Sequence, residues 1–146
     1  MIKTSELMAG DYILVKGSPR KVIEVKRGLV GYYPTQDSQK ISFSYPHVCE
    51  PMMITNDWLM EHWFMFHRPQ PGFDYHYKDR SLTIWLNPSG TMAVRVKVRP
   101  MIGSTKLMAE GLQPTASCLH QILKACGEEE IFTNIMERYE STIQKD

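Results

Sequence analysis

Three runs of alternating residues constrain this chain more than any other feature. Phe73, Tyr75 and Tyr77 alternate with Asp74, His76 and Lys78. Leu82, Ile84 and Leu86 alternate with Ser81, Thr83 and Trp85. Val94, Val96 and Val98 alternate with Arg95, Lys97 and Arg99. A period of two marks strands with one buried face, so residues 73–99 read as an antiparallel β-meander. The turn Asn87-Pro88-Ser89-Gly90 joins the last two runs, and parity limits the loop length. Directly opposed residues share a face, and a one-residue slip turns every side chain over. Keeping Leu82, Ile84 and Leu86 on one side with Met92, Val94 and Val96 therefore needs an odd loop. Three or five residues fit, and Gly90 suits the left-handed position of a three-residue loop.

Before the meander lie short β-rich runs separated by turn residues. They are Tyr12–Val15, Arg20–Arg27, Leu29–Tyr33, Lys40–Tyr45 and a last run over 48–54 broken at Pro51. Gly17-Ser18-Pro19, Gly28 and the polar stretch 34–39 supply the turns. Alternation places Ile41, Phe43 and Tyr45 inward. Close spacing of short strands predicts a small barrel or curled sheet.

A central helix is predicted from Thr55 or Asn56, either of which caps well, to about Phe66. Leu59, Trp63 and Phe66 form its apolar stripe, and Met60, Phe64 and Met65 widen it, so the helix is expected to be buried on most sides. Pro69, Pro71 and Gly72 end it. Residues 100–114 read as irregular. A helix follows over 115–126, with Leu119, Ile122, Leu123 and Cys126 inward and Gly127 just past its end. The last helix opens on Glu128-Glu129-Glu130. Its seam is Ile131, Ile135, Tyr139 and Ile143, flanked by Phe132 and Met136. The fold class is therefore α+β: a strand-rich module over 1–54, then a helix, a meander and two helices over 55–146, sharing one compact body.

Charge limits the partners. The 146 residues carry a net charge of +1, which gives no strong bulk attraction to nucleic acid or anionic membrane. Residues 1–113 hold 14 Lys/Arg against 10 Asp/Glu, and 114–146 hold 3 against 6. Three cysteines without close pairing suit a reducing compartment. No apolar run leads the chain or is long enough to span a bilayer, so the expectation is a cytoplasmic protein with no membrane partner.

Three pieces carry a family resemblance. Glu6-Leu7-Met8-Ala9-Gly10-Asp11-Tyr12-Ile13, Thr55-Asn56-Asp57-Trp58-Leu59-Met60-Glu61-His62-Trp63-Phe64 and Ala125-Cys126-Gly127-Glu128-Glu129 resemble segments of an uncharacterised family of short proteins from Bacteroidetes genomes and their phages. Trp63 stands where that family has glycine. The resemblance implies a strand module, a central helix and a later sheet with helices, and it implies no activity. Gly10-Asp11-Tyr12-Ile13 with Lys21-Val22-Ile23-Glu24-Val25 resembles the first hairpin of SH3-like barrels, including the KOW type.

Two features could carry binding. On the outer meander face, His76, Lys78, Trp85, Arg95, Lys97 and Arg99 gather cations around one aromatic, with Thr83 among them. That grouping suits single-stranded nucleic acid, the bases stacking on Trp85 and the phosphates meeting the cations. A merely solvated strand face is the alternative. The seam Ile131, Ile135, Tyr139, Ile143 either docks on the chain's own sheet or pairs with a second copy or a partner protein.

Catalytic signals are missing. His62 and His67 are five apart, not the four that put two ligands on one helical face. His47 and Cys49 lack a second pair at ligand spacing. Cys118 and His120 are too close in a helix to face each other, and glutamates follow Cys126, disfavouring its thiolate. No catalytic residue, metal site or cofactor is expected. The leading reading is a non-enzymatic interaction module for protein or nucleic acid. A homo-oligomeric structural or phage-related accessory protein comes next, and an enzyme without a recognisable motif comes last.

Overall fold

The computed structural model describes residues 2–35, 37–67, 72–98 and 105–144. The fold is α+β with antiparallel sheets, and the chain divides into two compact units. One is Met1–Met53 with Thr115–His120. The other is Ile54–Pro114 with Gln121–Asp146.

The first unit holds two three-stranded sheets. In one, β1 (Tyr12–Val15) lies between β2 (Ser18–Lys21) and β6 (Cys49–Pro51). In the other, β4 (Leu29–Tyr32) lies between β3 (Glu24–Lys26) and β5 (Ser42–Ser44). Two-residue turns, Lys16-Gly17 and Arg27-Gly28, close the β1–β2 and β3–β4 hairpins with positive φ at both positions, the geometry that matches strand twist. The run expected over 20–27 breaks at Val22 and Ile23, whose N–H groups go instead to Asp11 and Gly31. No ladder joins the two sheets among the described residues, so no closed barrel is formed among them. Ile13, Val15, Val22, Val30 and Cys49 form the core between them.

Two expectations fail in this unit. Phe43 and Tyr45 are exposed. Phe43 pairs with Gly31, and a Cβ on Gly31 would come within 2.9 Å of its ring. The ring therefore covers a glycine on the outside of the sheet.

Residues 115–120 bring the start of a helix to this unit. Helix α2 (Ala116–Ala125) begins at Thr115, whose hydroxyl accepts from the Cys118 N–H at 3.1 Å. One turn on, His120 Nδ1 bonds Asp11 Oδ1 at 2.5 Å, and Asp11 Oδ2 accepts from the Met8 N–H at 2.9 Å. Both side chains are buried. A buried carboxylate is tolerated when its oxygens are bonded in this way.

The second unit is built on a five-stranded sheet ordered β11-β10-β9-β8-β7. Its strands are β7 (Met65–His67), β8 (Gly72–Tyr77), β9 (Arg80–Leu86), β10 (Met92–Val98) and β11 (Thr105–Leu112). The register places Leu86, Ile84 and Leu82 opposite Met92, Val94 and Val96. The Asn87 N–H bonds the Thr91 carbonyl, Gly90 N–H bonds Asn87, and Gly90 has φ +87°. This is a three-residue loop inside a five-residue connection, as parity required. The residues expected to be irregular include β11, an edge strand with register shifts either side of residues 94–96 of β10.

Helix α3 (Glu129–Gln144) contributes Ile131, Phe132, Ile135 and Met136 to the interior. It is tied to the sheet's apolar face by Tyr75, whose hydroxyl donates to Asn134 Oδ1 at 2.5 Å. Helix α1 (Asn56–Glu61) is much shorter than expected. Thr55 caps it, accepting from Trp58 N–H at 3.1 Å.

Candidate functional site

The outer sheet face brings most of the predicted residues together. His76, Ser81 and Lys97 form one cross-strand row, Asp74, Thr83, Arg95 and Met108 the next, and Trp85 with Ala93 a third. Trp85 is half-buried. It lies against Gly72, where a Cβ would come within 2.8 Å of its Nε1, and the Arg95 guanidinium sits 4.9 Å from its ring centroid. Thr83 is buried beneath this layer and donates to Asp74 Oδ1 at 2.6 Å. Lys78 does not join the face. It occupies the β8–β9 turn with φ +52°, and its ammonium reaches toward Tyr77 and Glu130 of α3. A two-residue turn cannot continue the strand alternation. Arg99 lies outside the described residues.

The helical seam is largely consumed. Ile131 and Ile135 are fully buried within the chain, so they offer no free face. The side chains of Tyr139 and Ile143 lie outside the described residues.

The largest departure from expectation is at the end of α1. Phe64 N–H bonds the Leu59 carbonyl at 3.0 Å and Trp63 N–H bonds Met60 at 3.1 Å. That pair of bonds ends a helix in a left-handed residue, usually glycine. Here the residue is Trp63, with φ +72°. The chain then reverses into β7, and the predicted stripe splits. Trp58, Leu59 and Phe64 are buried, while Met60 (65%), Trp63 (53%), Met65 (65%) and Phe66 (48%) are exposed. The Arg138 guanidinium lies 4.7 Å from the Trp63 ring centroid and donates to the Tyr75 hydroxyl at 3.3 Å. Phe66 packs against Phe73 at 5.1 Å on the helix-covered side of the sheet, whereas Met65 pairs with Asp74 on the outer side. The sequence signal for this surface was Trp63 standing where the family that the segment resembles has glycine.

Beneath it, His62 stacks on Trp58 with centroids 3.8 Å apart, and its Nδ1–H donates to the Trp58 carbonyl at 2.7 Å. Burial lowers the His62 pKa to about 4, against the raising effect of that hydrogen bond. His62 is therefore a neutral interior group at ordinary pH.

Burial raises the Cys49 thiol pKa, and burial together with the Glu128 charge raises that of Cys126. Glu128 is buried, which pushes its pKa up, but hydrogen bonds from Lys106 at 2.5 Å and Arg80 at 2.9 Å prevail and hold it below its ordinary value. No cluster of three potential metal ligands occurs among the described residues. No helix among them is long and apolar enough to cross a membrane. The chain matches no protein-family model, no curated protein and no solved structure.

Proposed function

We propose that this protein is a non-enzymatic interaction module whose protein-contact surface is the sheet edge where α1 gives way to β7. Trp63 carries the reading. A left-handed backbone costs an ordinary L-residue about 1–2 kcal/mol, yet a half-exposed indole occupies it. A strained, exposed side chain points to use of its ring. Three further large apolar side chains are exposed within the same seven residues, 60–66.

The occupant is a second copy of the chain. β7 ends the sheet and shows an apolar residue on each face, Met65 and Phe66, neither of them charged. Such an edge is complementary to itself about a two-fold axis. The opposite edge, β11, is built differently. It carries Lys106 and Glu110, shifts register against β10, and turns at Gly111 with φ +68°. Those are devices that keep an edge single.

Light scattering at high protein concentration tests this. The expected mass is two subunits, falling to one in the double variant Met65→Lys, Phe66→Lys with unchanged circular dichroism. A one-subunit mass for the unaltered chain would overturn the proposal. So would a dimer that survives the double variant but is lost in Ile143→Lys, which would place the contact on the last helix.

The first unit supports an interaction role by analogy. Its hairpin, meander, 3₁₀ turn (Pro46–Val48) and final strand back on β1 resemble the strand sequence of SH3-like barrels, a fold that hosts many binding functions. The enzyme reading has the least support, since the Asp11–His120 pair is sealed from solvent.

A further inference from the structure

A second site lies on the outer sheet face, away from the β7 edge. A depression of about 420 Å³ is lined by Trp85, Asn87, Thr91, Ala93, Met108, Glu110 and Gly111. Its origin is legible residue by residue. Between Met92 and Val94, β11 slips against β10, with Gly111 in a left-handed conformation. The small, buried Ala93 therefore forms a floor, while Trp85 and the exposed Met108 stand as walls. The space is in the range of small-ligand pockets, and its walls suit a flat ring.

The charges around it select the ring. Arg95 takes part in no ion pair among the described residues, and its Nε is buried without a hydrogen-bond partner. Lys97 lies two residues along the same strand face, likewise without an ion pair among them. These cations seek an anion. Arg95 already sits over Trp85, which disfavours a cationic ligand there. Glu110, on the rim, also has no ion pair among the described residues, and its carboxylate accepts hydrogen bonds only. The ligand should therefore join an anionic group to a flat ring with N–H donors on one edge.

We infer that this slot binds a nucleotide, its base over Ala93 and beside Met108, its amino edge toward Glu110 and its phosphate toward Arg95 and Lys97. Guanine fits best, because it offers two adjacent donors to one carboxylate. Uracil fits worst, because its one ring N–H lies between two carbonyl oxygens that a carboxylate repels.

The test is calorimetric titration of the whole chain at low salt with four probes: GMP, UMP, a short single strand containing guanine and an all-uridine strand. Guanine probes should bind roughly tenfold or more tightly than uridine probes, a difference of the size expected for a good bidentate contact. Glu110→Gln should remove that preference. Arg95→Ala and Lys97→Ala should weaken all probes, and with the strand probes each lost phosphate contact should reduce the salt slope by about 0.7. Ala93→Leu, which fills the floor, should abolish binding without unfolding. Equal affinity for GMP and the guanine strand would assign the slot to free nucleotides, and tighter strand binding would assign it to single-stranded nucleic acid. No binding by any probe to folded protein overturns the inference, as does a guanine preference that survives Glu110→Gln.

Discussion

Helices α1 and α2 end in the same way with opposite residues. After α2, Glu128 N–H bonds the Leu123 carbonyl at 2.7 Å and Gly127 N–H bonds Lys124 at 3.1 Å, with φ +81° at Gly127. After α1, Phe64 and Trp63 make the equivalent bonds with φ +72° at Trp63. In both, the next residue anchors the reversal. Phe64 packs among Trp58 and Tyr75, and Glu128 meets Arg80 and Lys106. The backbone task is identical, but at 127 the sequence supplies the residue with no steric cost and at 63 it does not. The stack of Arg138 on Trp63 returns only about 0.5–1 kcal/mol at an exposed site. A turn can thus be specified by its anchor alone, leaving the left-handed position open to a residue chosen for its surface.

The largest effect should come from removing the apolar anchor. Phe64→Ala should cost about 3–4 kcal/mol in urea unfolding. A loss under 1 kcal/mol would show that the aromatic cluster does not hold the α1 turn.

Acid should be almost as effective. His62 has a folded pKa of about 4, below its ordinary 6.5. The unfolded chain then binds more protons between those values, so stability is full above about pH 6.5 and declines toward pH 4, by at most about 3 kcal/mol. Glu128 acts in the same direction lower down. Its pKa is depressed, so its contribution is present above the ordinary carboxylate value and is lost as pH falls through the lowered one. Unfolding measured across this range in His62→Asn and Glu128→Gln separates the two ends. His62→Asn should flatten the higher-pH part of the decline, and Glu128→Gln the lower.

Much of the fold was legible in the sequence, for physical reasons. Period-two patterning with the parity of a Gly90 loop gave the β9–β10 register, and Thr115 with Gly127 bounded α2. Strand β11 escaped because Leu107 and Ala109 make only a weak apolar face and the apolar Met108, on the opposite face with Lys106 and Glu110, blurs the period of two. The end of α1 escaped because a run of large apolar residues reads as continuous helix, and only tertiary anchoring reverses it at Trp63. The outer face was legible as a set of strand residues. Its depression was not, since it depends on a register slip beside Ala93.

Smaller effects sharpen the contrast between the two helix ends. Gly127→Ala has steric room, the nearest atom to the new Cβ being Lys106 Nζ at 3.8 Å. Only the φ penalty applies, and unfolding should show a loss of about 1–2 kcal/mol. Trp63→Gly is the smallest and the most telling. Relief of the backbone, less the packing of the missing ring, should leave stability unchanged or raised by up to about 1 kcal/mol, while self-association disappears. A clear loss of stability with the dimer intact would make Trp63 an internal support and not a contact residue.

The terminal position of β7 has a consequence of scale. Antiparallel pairing of two such edges would make one continuous sheet of ten strands, with both outer faces on the same side. At about 4.8 Å per strand, the two copies of β10, each bearing an Arg95, would stand roughly 34 Å apart across the seven intervals. Two weak sites at a fixed spacing act on a ligand long enough to reach both as a single, much stronger one. The assembly would then favour extended ligands by reach alone, a selection that neither copy could exert by itself.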